Sequence, residues 1–467
     1  MFDRHSKSQQ KGQLMEQIKI TDAFRVSSEY QKMLPKDRVQ WRKKRLYDLV
    51  TYARENSPFY HDLYANLPEH FTLNNLPTTT REDLQSHYND WSTDQEVTLD
   101  GVYTYLEAGA QSGKLYLDKY HVISTSGTDE SPLTILYDKN AARIMSAAHF
   151  KRCFSRKEHF WNYIKKGAKS AAIYTTGGSY INNVCADMRR RYLPFGKSRS
   201  LILPSQNATS ALVATLNRFK PAMLSGFPSA LGRLADERKA SRLKINPVCI
   251  MADGEPLTDD LRAKLERIFH CDVTSSYSCA EAGTIAYECR EHHLHLNDDL
   301  VIVEPVTFDG NPVEDGVTSD KVLITNLVNY THPIIRYALD DKITLHDTPC
   351  LCGNPSPWIT IAGRSLDQVV FTASGREIFV PIEKFETSLK NVAEIKRYQI
   401  LVYPGNHLSL RILAAKGSDK TLAFFKAEKV LRAYMRELGV LSPAITLEKE
   451  DPQPDPLSGK YSIVIAR

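Results

Sequence analysis

Five short segments carry residue types that can act on phosphates. The first is Ser124-Thr125-Ser126-Gly127-Thr128-Asp129-Glu130-Ser131-Pro132, directly after the apolar stretch YHVI. Small hydroxyl residues around one glycine let backbone N–H groups and side-chain hydroxyls approach a polyphosphate. The second is Ser275–Glu281, where Tyr277 offers a face to a base and Glu281 a carboxylate to a hard cation. The third is Thr325-Asn326-Leu327 followed by Pro333–Asp341; an Asp after an apolar strand can accept both ribose hydroxyls. The fourth is Gly363-Arg364-Ser365-Leu366-Asp367, and the fifth is Leu457-Ser458-Gly459-Lys460, whose lysine can reach a phosphate as a point charge. Taken singly, each has a plainer reading. Ser/Thr/Gly loops are common, a strand-end Tyr and Glu can simply finish a turn, and Arg336 with the aspartates can be a surface ion pair.

A sixth group points to a metal. Cys289 is followed by His292, His293 and His295, and Cys350-x-Cys352-Gly353 lies further on. Together these can supply four N/S ligands to a tetrahedral zinc, the set being Cys289, His295, Cys350 and Cys352, with His292 or His293 able to replace His295. The alternative is three reduced thiols beside a surface His cluster. A site tying two loops together ahead of the change in pattern near residue 366 reads as structural. The other cysteines, Cys153, Cys185, Cys249, Cys271 and Cys279, lie far apart or in apolar surroundings, as reduced thiols of a cytosolic protein do.

These segments need a scaffold. From about residue 120 to 365, runs such as HVIST, AAIYT, SLILP, AMLSG, VCIMAD and DVTSSY alternate with helical spacings. That predicts an α/β domain with largely parallel strands and ligands at the C-terminal strand ends. Thr258–His270 reads as a helix with Leu261, Leu265, Ile268 and Phe269 inward and Asp259 and Asp260 at its positive end. Upstream, residues 38–55 carry a stripe of Leu46, Leu49, Val50 and Ala53, and Thr80 is positioned to cap a helix. After about 366 the pattern changes. FVPIEKFETSLKNV reads as a helix with Ile382, Phe385, Leu389 and Val392 inward. Pro404-Gly405-Asn406 marks a hairpin between RYQILVY and HLSLRIL; residues 418–438 form an amphipathic helix, and two short strands follow. The chain thus divides into a large α/β domain, 1–366, and a small α+β domain, 367–467.

With 467 residues, 42% hydrophobic and 25% charged, the chain is too long for one core and has the composition of an ordinary globular protein. No apolar run approaches the ~20 residues that span a bilayer. The opening MFDRHSKSQQKGQ lacks the apolar stretch of a signal peptide, so a cytoplasmic location is expected, with no membrane partner. The net charge of +5 is spread along the chain. Its densest stretch, Lys151–Lys169, is either a solvated helix face or a contact to substrate or coenzyme phosphates. No nucleic-acid-binding module accompanies it, so no nucleic-acid partner is expected.

In this order the five segments resemble the adenylate-forming superfamily of acyl-CoA synthetases, peptide-synthetase adenylation domains and luciferases. They look most like the branch of phenylacetate–CoA ligases and coenzyme F390 synthetases, with its Ser-Gly-Thr loop, Tyr-x-x-x-Glu, Pro-x-Ile-Arg-Tyr and Gly-Arg-Ser-x-Asp. SPFYHDLY and LPTTTREDL are similar to that branch's opening, so the resemblance runs from about residue 45 to the end. It implies a large N-terminal AMP-binding domain and a small C-terminal lid joined by a hinge. By the resemblance, Ser124, Ser126, Gly127 and Thr128 match the phosphate loop, with Thr128 among the catalytic groups. Gly254 and Glu255 match the segment lining adenine, Tyr277 the stacking aromatic, and Glu281 the magnesium ligand. Asp341 matches the ribose-binding Asp, with Asp340 a close competitor. Arg364 matches the hinge-side Arg near the ribose, Asp367 the hinge, and Lys460 the catalytic lysine. The branch's Cys…Leu-His-x-x-Glu-Asp stretch favours His295 as the zinc ligand. Relatives are often dimers.

The activity implied is AMP-forming ligation. A carboxylate, aromatic or otherwise small, attacks the α-phosphorus of ATP with magnesium and Lys460 offsetting the developing charge. Pyrophosphate leaves, the small domain turns about Asp367 to bring the loop around Gly375 forward, and the thiol of coenzyme A displaces AMP. An amine, a hydroxyl or a protein thiol is the alternative acceptor, and a non-catalytic homologue is the reading from another class. One departure stands out. Where the family loop reads Thr-Gly, this chain has Asp129-Glu130, and the nearby Lys is missing. Two carboxylates beside a triphosphate are unfavourable unless they point away or hold magnesium.

Overall fold

The computed structural model describes residues 18–108, 114–125, 132–176, 178–364, 368–373, 376–381, 385, 388–455 and 460–466. The chain forms two compact units. One runs to Leu339 and takes in Ile343–Thr360; the other takes Asp340–Lys342 and the chain from Ile361 onward.

The larger unit is built on a twisted sheet. β3 (Ser170–Tyr174), β4 (Ser200–Pro204), β5 (Met223–Gly226), β6 (Cys249–Asp253) and β7 (Asp272–Cys279) run parallel in the order β4-β3-β5-β6-β7. Their apolar runs are nearly continuous, as expected of strands covered on both faces. β8 (Gly283–Glu288) and β9 (Leu294–Leu296) extend the sheet antiparallel, and Trp358 and Ile359 pair with His295 and Leu294 at its edge. On one face lie the Thr209–Phe219, Pro228–Lys239 and Asp259–Phe269 helices. Leu212, Leu216, Leu231, Leu234, Leu265 and Phe269 pack there on Ile173, Leu224, Ile250 and Val273. Each such fully buried side chain contributes about 1.5–3 kcal/mol. The Asp259–Phe269 helix begins as expected, with Thr258 Oγ1 accepting from Leu261 N at 3.3 Å, and ends at His270 with φ 55°. Thr80 likewise forms a capping box with Asp83.

β1 (His121–Ser124) departs from the parallel expectation. It pairs antiparallel with β2 (Thr134–Tyr137) in a separate two-stranded sheet. Parallel pairing needs a crossover of a dozen or more residues; here the chain returns at once, Thr125 N donating to Leu133 O at 2.9 Å. A third sheet orders β10 (Val301–Val306), β11 (Lys321–Asn326) and β12 (Tyr337–Leu339). Arg336, entering β12, is not a surface ion pair with the aspartates. It is 9% exposed, has φ 47°, pairs with Glu304 at 3.1 Å and donates from Nη1 to Leu76 O at 2.6 Å. Thr79 closes the same junction by donating to Arg336 O and accepting from Ala338 N.

Two N-terminal helices, Ile20–Lys32 and Pro35–Asn56, are fastened to this unit by polar groups far along the chain. Buried Asp298 accepts from Tyr30 at 2.9 Å, Arg42 at 2.6 Å and Ser356 at 2.8 Å, and Arg38 donates to Ser356 Oγ at 3.0 Å.

The smaller unit has a four-stranded sheet ordered β19 (Ala444–Leu447), β18 (His407–Ala414), β17 (Ile395–Tyr403), β20 (Val464–Ala466). The Lys420–Glu437 helix covers it with Ala423, Ala427, Leu431 and Met435. The β17–β18 turn is where expected, with φ 76° at Gly405 and 61° at Asn406. The start of the expected 379–392 helix differs: Arg376–Pro381 is a strand, β16, paired with β15 (Gln368–Ala373). Ile378 and Val380 turn inward with the strand period of two, which overrides the helical spacing read across them. Phe385, Leu389 and Val392 are buried as expected, and Ile382 lies outside the described residues.

Candidate functional site

The polar residues of the larger unit gather at the C-terminal ends of its parallel strands. β6 ends in Asp253, followed by Gly254 and Glu255. Asp253 takes hydrogen bonds from the Tyr174 hydroxyl at the end of β3 and from Ser276 Oγ on β7, the latter at 3.2 Å. Burial pushes its carboxyl up to about 6, against the lowering effect of the Tyr174 bond. Gly254 has φ 81°, and a Cβ there would lie 2.4 Å from Asn182 Nδ2 and 2.8 Å from the Phe227 ring. The backbone therefore requires glycine. Glu255 accepts from the backbone N and Oγ of Ser229 at 2.9 and 3.0 Å, in the first turn of the Pro228–Lys239 helix.

Tyr277 and Glu281 sit one strand over. A register shift between Tyr277 and Ser278 interrupts the β7–β8 ladder, a bulge of the kind that re-aims side chains beside functional sites. Both are buried, Glu281 at 6% exposure. Tyr337 donates its hydroxyl to Glu281, whose negative charge, after burial, raises the phenol further. The neighbouring backbone is held rigidly: Tyr137 donates to Ala280 O at 2.7 Å and Asn326 Nδ2 to Glu281 O at 3.0 Å. Asn326 was within reach of sequence reasoning through Thr325-Asn326. Tyr137, Asn182 and Asp253 were missed, because each is one ordinary residue in an apolar run or helix.

Ser124 ends β1 and is fixed by donating its N–H to Ser179 O at 2.7 Å. Thr125 Oγ1 accepts from Leu133 N at 3.1 Å, so the mouth of the loop is clamped. Ser126, Gly127, Thr128 and the Asp129-Glu130 departure lie outside the described residues, as do Asp367 and Gly375. In the smaller unit Asp341 is buried and Asp340 exposed. Arg364 ends β14 (Trp358–Arg364), and Lys460 is half-buried, its carbonyl accepting from Asp455 N at 2.8 Å.

The Cys/His group forms a compact cluster. One ligand atom each from Cys289, His295, Cys350 and Cys352 lies within 4.8 Å of all the others. The Cys289–Cys350 Sγ separation is 3.8 Å, and a tetrahedral zinc with 2.3 Å bonds to sulfur sets that edge at about 3.8 Å. Backbone N–H groups of Glu291, Cys352 and Asn354 point at the three sulfurs at 3.3–3.4 Å. Gly353, at φ 82°, lets the Cys350–Cys352 loop turn back. His295 Nδ1 donates to Ser356 O at 2.7 Å, leaving Nε2 for a cation, 3.3 Å from Cys352 Sγ. His292 instead meets Glu288, and His293 stacks on Trp358 at 3.8 Å with Nδ1 3.2 Å from Cys350 Sγ. Burial raises the Cys289 thiol and pushes the Cys352 thiol up to about 12. A divalent cation reverses that balance and holds the sulfurs as thiolates. The donor set fits zinc.

No family model matches the chain. A curated relative, Protein CapK of Staphylococcus aureus, is 22% identical over 324 residues, which span 67% of this chain but only 64% of CapK. Among solved structures, 2-hydroxyisobutyryl-CoA ligase in its postadenylation state with 2-HIB-AMP aligns with a TM-score of 0.68 at 18% identity, covering 94% of this chain and 92% of that one. The same ligase with 2-HIB-AMP and CoA in the thioesterification state aligns at 0.59, again 18% identical, covering 94% and 91%. The fold is thus that of 2-hydroxyisobutyryl-CoA ligase, with a large α/β domain and a smaller C-terminal one. Among the described residues, no helix is long and apolar enough to cross a membrane.

Proposed function

We propose that this protein activates a small carboxylic acid with ATP, releases pyrophosphate, and transfers the acyl group from the acyl-adenylate to coenzyme A. The observation that carries the reading is the buried Glu281 at the bulged end of β7, held by the Tyr337 hydroxyl within a fold shared with a CoA ligase. Glu281 would hold magnesium, which when bound neutralises charge on the phosphates. Tyr277 would receive the adenine, and Gly254 lets the backbone pass close to it. Asp341 is assigned to the ribose hydroxyls with Arg364 nearby, and Ser124 with Ser126, Gly127 and Thr128 to the phosphates. Lys460 is assigned to the charge developing at the α-phosphorus, and Asp367 to the pivot that alternates the two half-reactions. Cys289, His295, Cys350 and Cys352 would hold a structural zinc.

Pyrophosphate release across a panel of acids tests the reading. Wild type should release pyrophosphate with at least one acid, and Lys460→Ala should be slower by on the order of 10²–10³. Adding coenzyme A should then yield a thioester by mass. Release of pyrophosphate without thioester would move the acceptor to an amine, hydroxyl or protein thiol. No release with any acid would overturn the proposal.

A further inference from the structure

The basic stretch that the adenylation reading leaves unused finds its place in the fold. Ser170, Ser200, Met223 and Cys249 open β3, β4, β5 and β6, neighbours in the order β4-β3-β5-β6. The segments leading into them are 163–169, 194–199, 218–222 and 239–248. Together these hold ten of the chain's 60 lysines and arginines and no aspartate or glutamate. The remaining 50 are outnumbered by 55 acids, so the net charge of +5 comes from this one edge. Parallel strands put all four entries on the same edge, and at about 4.8 Å per strand it is roughly 14 Å wide. Polar contacts lace the entries together. Lys166 Nζ donates to Asn246 O at 2.9 Å, Lys169 Nζ to Phe219 O at 3.3 Å and Asn217 Nδ2 to Arg242 O at 2.9 Å, while the Ser170 and Ser200 hydroxyls meet at 3.2 Å. Asp253, Tyr277 and Glu281 lie at or just past the opposite ends of β6 and β7. The charge therefore does not serve the phosphates assigned there.

Large apolar side chains stand out among these cations. Trp161 is 61% exposed, Ile164 42% and Phe195 69%. Lys157, Trp161 and Lys165 recur at steps of four along the Lys157–Lys165 helix, with Ile164 beside them, so they share its exposed stripe. Phe195 is held in place by its backbone. It has φ 59°, a conformation that bulky residues hold only where their surroundings require it. The next residue, Gly196, passes so close to Arg190 O that a Cβ would collide with it. Arg199 sets its guanidinium over the Phe195 ring at 4.9 Å. The acids that border the edge are engaged. Asp272 pairs with Arg156 at 2.8 Å, Glu158 acts on the same arginine, and Glu237 pairs with Arg242 at 2.6 Å.

We propose that this edge of the larger unit docks on an anionic bilayer surface. Its lysines and arginines meet the lipid phosphates, and Trp161, Ile164 and Phe195 enter the headgroup layer. Tryptophan and aliphatic side chains set among lysines suit a membrane interface, where the apolar body and the cation each find their own layer. Nucleic acid is the other large polyanion such charge could meet, but an exposed isoleucine gains nothing from a phosphate backbone. The docking reverses the expectation of no membrane partner. It needs no spanning helix, and it leaves the strand-end site turned away from the lipid. It stands independently of the adenylation reading.

Co-sedimentation of the full chain with lipid vesicles tests the proposal. At low salt, vesicles of phosphatidylglycerol and phosphatidylcholine in equal parts should bind wild type at least about tenfold more tightly than phosphatidylcholine alone. Salt at about 1 M, where the screening length is about 3 Å, should release most of it. Each cation near an anionic leaflet adds about fivefold, so Lys165→Glu with Lys197→Glu should weaken binding by on the order of 10²-fold. Trp161→Ala should weaken it by about tenfold. All three side chains are exposed, so both variants should keep the wild-type melting curve. Equal binding to the two vesicle types, no binding to either, or binding unmoved by either variant overturns the proposal. So does capture of double-stranded DNA by a protein that ignores the vesicles, which would give the edge to nucleic acid.

Discussion

The Cys/His cluster and the strand-end site are both polar centres in one unit, yet they are built in opposite ways. The cluster draws its four donors from two short stretches, the β8–β9 hairpin and the Cys350–Cys352 turn, and settles them locally. Three backbone N–H groups face the sulfurs, and one carbonyl fixes the histidine tautomer. The strand-end site is dispersed. Glu281 depends on Tyr337, Asn326 and, through Ala280, Tyr137, so it is complete only when three separate sheets have come together. A centre closed by neighbouring residues tolerates change elsewhere and fails all at once when a ligand is lost. A dispersed centre fails by degrees, in activity before stability.

Breaking the cluster should give the largest effect. Cys350→Ser with Cys352→Ser should abolish bound zinc by metal analysis and lower Tm by on the order of 10 °C; unchanged zinc content would rule the site out. Glu281→Gln is the counterpart at the dispersed site. The amide keeps the shape and still accepts from Tyr337, so pyrophosphate release should fall by on the order of 10²–10³ while the melting curve barely moves. If instead this variant melts early, the two centres do not differ in this way. Asp253 gives a pH signature. Its carboxyl is pushed up from 3.8 to about 6 by burial, so the folded state holds its proton more tightly than the unfolded one. Its contribution is therefore greatest below pH 4 and is lost as pH rises through about 6. Relative to Asp253→Asn, wild type should lose about 2–3 kcal/mol across that window in denaturant titrations. The smallest effect belongs to Ser356→Ala, which removes a link between the cluster and Asp298 and should cost about 1–2 kcal/mol.

What was legible in the sequence follows the same division. The Cys/His set could be read because metal ligands announce themselves by type and spacing, and caps such as Thr80 and Thr258 because they act within four residues. The surface-ion-pair alternative for Arg336 could not be dismissed from sequence because its partners, Glu304 and Leu76, lie 32 and 260 positions away. The antiparallel pairing of β1 depended on how soon the chain turns back after Thr125, and the 376–381 strand on a period of two hidden inside a helical one. Asp253 could not be singled out at all. One charged residue at the end of an apolar run gains meaning only when a second strand is found beside it.

The clasp at Asp298 has a consequence for the order in which the molecule comes together. Tyr30, Arg38 and Arg42 leave the ribosome early, but their partners at 298 and 356 emerge some 260 to 320 residues later. Until then these three side chains lack those partners, and pairings that distant form slowly. For this clasp birth order and assembly order are therefore reversed: its earliest-made side chains are fastened only after the latest-made ones emerge.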